Sequence, residues 1–255
     1  MKKPVHRAAS RIPSSSLVRR DSALPPTALA PAAAAQDSAR APARLATLVE
    51  AAASLDLPLT ARQADLLIRY LDALQRWNTV YNLSSVRDAD RMLVLHLIDC
   101  LALVPPLRRL LDTGSPHRLL DVGSGAGLPG IVIAALHPAL SVTCVDAVGK
   151  KAAFVQQVAA ELPLPNLSAV HSRIEKLKAP PFDRITSRAF ASLADFVALT
   201  RPHLAVGGCW LAMKGKAPTD EIQALPDDID VFHVEHLTVP GLDAERCLVW
   251  MRPRR

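Results

Sequence analysis

From Thr60 to Trp77 the chain reads TARQADLLIRYLDALQRW, and Leu66, Leu67, Tyr70, Leu71, Leu74 and Trp77 recur at helical spacing. That period predicts an amphipathic helix with one buried stripe, and Thr60 followed by Gln63 has the form of a capping box at its start. A second helix is predicted before it. A third is predicted over ADRMLVLHLIDCLALV, ended by Pro105 and Pro106. After Arg118 the rhythm changes. RLLDVG, LSVTCVDA, LSAVHS, FDRITSRAF and CWLAMKG are short runs, and helical stretches follow them from about Gly127, over GKKAAFVQQVAAEL and from Ser192. Strands that are apolar on both faces and alternate with helices predict a mostly parallel sheet covered on both sides. Two later runs, IDVFHVEHLTV and RCLVWMR, predict an antiparallel hairpin at the sheet edge. The pattern as a whole predicts an α/β fold behind an N-terminal helical lobe.

Composition divides the chain further. Residues 1–40 are mainly Ala, Pro, Ser and Arg, with too few large apolar side chains to offset the entropy of ordering, and a disordered basic tail is expected there. An Arg- and Ser-rich, acid-poor start resembles an organellar transit peptide, but repeated prolines spoil an amphipathic helix and no apolar signal core follows. Residues 41–116 are expected to form the helical lobe and 117–255 the α/β domain. The formal charge of +6 suggests a nucleic-acid partner until its distribution is seen. Seven cations against two acids in the first forty residues give the tail a net +5, so the remainder is nearly neutral. Cys100, Cys144, Cys209 and Cys247 are widely spaced and form no C-x-x-C pair, which fits reduced core thiols in a cytoplasmic protein. Val122 to Val145 has no charged residue, yet four glycines, Pro129, Pro138 and His137 read as loop, buried helix and buried strand rather than a membrane span.

The candidate chemistry begins at LLDVGSGAGLPGIV. Glycines 123, 125, 127 and 130 fall within eight residues of a chain that has ten glycines in all. In a doubly wound sheet the first strand-to-helix turn makes the closest approach to a ligand, and glycine leaves no side chain between backbone amides and that ligand. The dinucleotide fingerprint G-x-G-x-x-G would put its third glycine at Leu128, whereas here it comes one residue earlier. The resulting G-x-G-x-G resembles the first motif of Rossmann-like methyltransferases that bind S-adenosylmethionine. Asp121 before the turn suits a ligand bearing an ammonium and a sulfonium. Asp146, ending the second strand, suits the two hydroxyls of a ribose.

DVGSGAGLPGI, SRAFASL, MKGK, RWNTVYNLSSVRD and HLIDCL together resemble the bacterial small-subunit ribosomal RNA guanine-N7 methyltransferase family, also called glucose-inhibited division protein B. The resemblance runs from about Leu45 to Arg252. It implies a Rossmann-like class I methyltransferase with a mostly parallel sheet, S-adenosylmethionine as cofactor, and small-subunit (16S) ribosomal RNA or the 30S particle as partner. It also implies cofactor contacts at Gly123 and Leu128 in the glycine loop, at Ile174 and Glu175 in SRIEKL, and at Arg188 in SRAF, beside the Asp146 already noted. A cytoplasmic monomer with no membrane partner and no metal is expected.

Chemistry narrows the target. No Pro-Pro-Tyr motif ends the fourth strand, and the chain contains no Pro-Cys dipeptide, so the amine and cytosine-C5 routes lack their usual groups. Guanine N7 carries an in-plane lone pair and no proton, so it needs neither a general base nor a covalent intermediate. No catalytic base is assigned. Arg188 is expected to grip a phosphate, the guanine O6 edge or the cofactor carboxylate. Lys214 is read as an RNA-phosphate contact or a solvated lysine, His96 with Asp99 as core residues, and Trp77 and Tyr81 as packing. Two other readings stay open: a nicotinamide oxidoreductase, which would want a Tyr-Lys pair, and a non-catalytic RNA-binding or ribosome-assembly protein on the same fold.

Overall fold

The computed structural model describes residues 31–111, 117–188, 190 and 192–254. Five helices come first: α1 (Pro31–Ser54), α2 (Ala61–Tyr81), α3 (Ala89–Met92), α4 (Asp99–Leu101) and α5 (Val104–Leu110), with a π-helical segment, Leu93–Ile98, joining α3 to α4. The α/β part follows as β1 (Arg118–Val122), α6 (Gly130–Leu136), β2 (Ser141–Asp146), α7 (Gly149–Glu161), β3 (Leu167–His171), β4 (Phe182–Arg188), α8 (Leu193–Thr200), β5 (Leu204–Lys214), α9 (Thr219–Gln223), β6 (Ile229–His236) and β7 (Cys247–Pro253).

The seven strands make one sheet in the order β3-β2-β1-β4-β5-β7-β6, in which β7 alone runs against its neighbours. Successive residues of β7 enter opposite cores: Leu248 and Trp250 join the cluster with the helical lobe, α6 and α7, while Cys247, Val249 and Met251 join the cluster with α8. Burial on both faces explains why the strand segments read as continuous apolar runs. The lobe does not have a core of its own. Leu67, Leu74, Met92 and Leu101 belong to the same buried cluster as Leu119, Ile131, Phe154 and Leu211.

The capping box of α2 forms as its spacing predicts, with Thr60 accepting from the Gln63 amide and Gln63 accepting from that of Thr60. All six residues of the stripe are buried. Three details differ from the sequence reading. Helix α1 starts at Pro31, inside the span expected as tail, whereas residues 1–30 lie outside the described residues. The third helix is not continuous, and Pro105 and Pro106 sit in the first turn of α5 rather than closing what precedes it, because a first-turn proline loses no intrahelical hydrogen bond. Helix α6 begins at Gly130 instead of Gly127, because the glycines before it take positive φ. Within the described residues no helix is long and apolar enough to cross a membrane.

Gly130 packs directly on the sheet. A Cβ there would stand 2.4 Å from Cys144 Sγ and 2.9 Å from Asp121 Oδ2, both in the sheet beneath α6. Gly130→Ala should therefore lower stability by about 1–3 kcal/mol, measured by urea unfolding. An unchanged midpoint would mean that α6 lifts freely off the sheet.

Candidate functional site

The turn between β1 and α6 is braced from three directions. From the lobe, the buried Tyr70 hydroxyl donates to the Ala126 carbonyl at 2.9 Å. From β2, Asp146 Oδ2 accepts from the Gly125 amide at 2.9 Å and Oδ1 accepts from Val148 at 2.8 Å. From β1, Asp121 Oδ2 accepts from the Gly130 amide at 2.8 Å. Gly125 sits at φ +59, and a Cβ built on it meets nothing within 4 Å. The backbone there faces open space, and positive φ is what turns it outward.

That space is a cavity of about 600 Å³ at the carboxyl edge of the sheet, large enough for a nucleoside-sized cofactor. Gly123, Gly125 and Leu128 form one wall; Ser84 and His96 from the lobe, Arg188 ending β4, Lys214 ending β5, and Arg246 before β7 form the others. Asp99 joins three of these elements. It is 2 % exposed, and its carboxylate receives Arg188 Nη1 at 3.1 Å and Arg246 Nε at 2.7 Å. Arg188 Nη1 also donates to the Leu95 carbonyl, in the π-helical segment, at 2.8 Å. Lys214 is paired with Glu221 at 2.8 Å, and Glu221 also accepts from the Leu193 amide at the start of α8.

Burial dominates the titration of this region. It lowers the His96 imidazole below its ordinary value, with Arg188 adding to the effect, so the ring is neutral at pH 7. It pushes the Cys100 thiol up to about 12 and the Asp121 carboxyl up to about 7. Neither thiol beside the site, Cys100 or Cys144, is a nucleophile under these conditions.

Of the residues singled out from sequence, Gly123, Leu128 and Arg188 border the cavity, and Asp146 underlies its glycine wall. Ile174 and Glu175 stand in the short turn after β3, one strand beyond Asp146 and outside the lining of the cavity; Ile174 is buried and Glu175 exposed. Asp121 is placed differently from expectation. It has no exposure at all, and it holds the start of α6 instead of facing a ligand. His96 is not a satisfied core residue: its Nε2 meets Ser84 Oγ at 2.7 Å, its Nδ1 has no partner, and the ring borders the cavity. Trp77 and Tyr81 stack at 5.0 Å as packing, while Asn78 holds the loop that carries Ser84 by bonding the Ser84 amide and the Val86 carbonyl. Arg246 was not anticipated. An arginine just before an apolar strand looks the same in sequence whether it faces solvent or a buried carboxylate.

A sheet in the order β3-β2-β1-β4-β5-β7-β6 with β7 reversed, a glycine turn after β1 and an acid ending β2 together define a class I, S-adenosylmethionine-dependent methyltransferase. Among solved structures, the glycopeptide N-methyltransferase MtfA complexed with S-adenosyl-L-methionine shares the fold, with a TM-score of 0.50 and 13% identity, covering 61% of this chain and 94% of that one. Residues 63–249 match the family described as rRNA small subunit methyltransferase G, and the chain belongs to that family. The protein named ribosomal RNA small subunit methyltransferase G in Leptothrix cholodnii is 62% identical over 208 residues, covering 82% of this chain and 95% of its own. Its namesake in Acidovorax ebreus is 57% identical over 213 residues, covering 81% and 94%.

Asp121 makes a pH-dependent contribution to stability whose sign follows from its burial. The native state holds the proton more tightly than the unfolded chain, whose carboxyl titrates near 4. The contribution is complete below about pH 4, is lost as pH rises towards 7, and is flat above. Asp121→Asn keeps an oxygen for the Gly130 amide and has no proton to lose. Relative to the parent it should gain stability between pH 4 and 8, by up to about 4 kcal/mol. Urea unfolding at both pH values measures this, and an identical difference at the two would contradict it.

Proposed function

We propose that this chain transfers the methyl group of S-adenosylmethionine to N7 of a guanine in small-subunit (16S) ribosomal RNA, acting as a cytoplasmic monomer. The observation that carries the reading is the glycine wall: a braced turn whose Gly125 backbone is open to the cavity, on a chain of the rRNA small subunit methyltransferase G family. The residues fit the cofactor by chemistry. Unpaired guanidinium N–H groups suit its carboxylate, the acid of Asp146 suits ribose hydroxyls, and the Ile174 and Glu175 turn, farther along the same sheet edge, suits the adenine. With Gly123, Leu128 and Arg188 these make up the proposed cofactor contacts.

S-adenosylmethionine supplies the electrophilic methyl group when bound. The chain's own contribution is position. N7 of guanine is an acceptor with no proton, so no side chain has to remove one, and the glycine wall and the lobe need only hold the base in line and keep water out. Burial raises both thiols near the cavity, so neither Cys100 nor Cys144 is poised as a nucleophile. The product carries positive charge on the base. A guanidinium aimed at the ring would oppose that charge, and Arg188 is instead turned into the Asp99 carboxylate and the Leu95 carbonyl.

Two measurements follow. Asp146→Ala removes both the brace on Gly125 and the acceptor for the ribose, so affinity for S-adenosylhomocysteine should fall by about 1–3 kcal/mol in calorimetry. Small-subunit RNA treated with borohydride and aniline should break at one guanine after incubation with the protein and cofactor. Methyl label on an adenine, a cytosine or a protein, with an unbroken strand, would overturn the N7 assignment.

A further inference from the structure

The three-residue cluster at the cavity is charge-unbalanced. Asp99 contributes one negative charge, and Arg188 and Arg246, which lie 89 and 147 residues away along the chain, contribute two positive ones. Each guanidinium uses only part of its hydrogen-bonding capacity. Arg188 donates through Nη1 alone, to Asp99 and Leu95; Arg246 donates through Nε to Asp99 and through Nη1 to the Glu245 carbonyl. Nε and Nη2 of Arg188 and Nη2 of Arg246 meet no acceptor among the described residues, and none of these nitrogens is sealed from solvent. Both side chains border the cavity, at 24% and 22% side-chain exposure against 3% for the side chain of Asp99. The buried carboxylate thus spends both its oxygens on the two guanidinium groups, and the side chains that carry the leftover N–H groups border the cavity.

We propose that Asp99 is a positioning residue for an anion site, holding Arg188 and Arg246 side by side so that their unspent N–H groups bind a single carboxylate or phosphate of the ligands. Two guanidinium groups without the carboxylate between them would repel and swing apart; with it they form a preorganised cation pair with one net charge. The anion is an oxyanion with several lone pairs, and two sources offer one: the amino-acid carboxylate of the cofactor and a phosphate of the RNA. The proposal rests on the function argued above, and it adds Asp99 and Arg246 to the site together with the kind of group they serve. Asp99 also ties the lobe to β4 and to the segment before β7, so a purely structural role has to be separated from a positioning one.

The comparison that separates them is ligand-selective. Asp99→Asn and the parent chain would be titrated calorimetrically with S-adenosylhomocysteine and with its decarboxylated analogue, then assayed for methyl transfer to small ribosomal subunits over a range of salt. If the anion is the cofactor carboxylate, the substitution weakens S-adenosylhomocysteine at least tenfold and leaves the analogue within twofold. If the anion is an RNA phosphate, both nucleosides bind as before, KM for the subunit rises at least tenfold with kcat within twofold, and the salt dependence of KM becomes shallower. Either result supports the proposal. Equal weakening of both nucleosides, or no change in any measurement, overturns it in favour of a structural or idle carboxylate. Should Asp99→Asn not fold, Arg246→Gln leaves the Asp99–Arg188 pair in place and is judged by the same outcomes. A parent chain that binds neither nucleoside would overturn the underlying function and this proposal with it, and that failure shows before any substitution is made.

Discussion

The turn between β1 and α6 has to be thin, and most of the surrounding structure holds it so. Although Ala126 and Leu128 pack in the core, the turn gains nothing from hydrophobic burial at its glycines and loses more entropy on ordering there than at any other residue type. It is therefore fixed by its neighbours: the Tyr70 hydroxyl from the lobe, the Asp146 carboxylate from β2 and the Asp121 carboxylate from β1 each take one backbone group of the turn. Tyr70 can reach the loop only because α2 packs against α6 and α7 in one continuous core, with Tyr70 and Trp77 both near Phe154. The helical lobe is in this sense part of the cofactor wall, on the far side from the sheet.

Much of this was legible in the sequence because it obeys local rules. The seven strand runs, the stripe and cap of α2 and the glycine spacing all report periodicity or backbone requirement, which a single chain displays directly. What stayed hidden depends on partners distant in sequence. The π-helical segment at Leu93–Ile98 leaves the apolar pattern of ADRMLVLHLIDCLALV looking like one ordinary helix, yet it is where the Leu95 carbonyl meets Arg188. Asp121 has the right type and place for a ligand contact, and only the depth of the β1–α6 packing shows that it faces inward. Arg246 could not be told from a solvent-facing arginine without knowing that Asp99 lies opposite it.

The lobe and the sheet are joined by more than apolar contact. Arg184 reaches the Leu110 carbonyl, Arg109 pairs with Glu235 on β6, and Asp99 receives arginines from two separate parts of the α/β region. The Asp99 pairs lie at the cavity, the Arg109–Glu235 pair on the outer strand β6, and the Arg184 link in the amino-terminal half of β4. A displacement of the lobe would therefore change the site and the sheet edge together, as one body.

The four cysteines bring a practical consequence of a different kind. Every thiol in the chain is buried, and burial raises the pKa of each. Thiolate is the reactive form, so the folded chain presents almost no nucleophilic sulfur to an alkylating dye. Val206, by contrast, lies wholly exposed at the start of β5, on the far end of that strand from Lys214 and the cavity. A single cysteine introduced there would give the molecule one chemically distinct handle, so a fluorophore or a surface tether could be attached without first stripping the native thiols from the core.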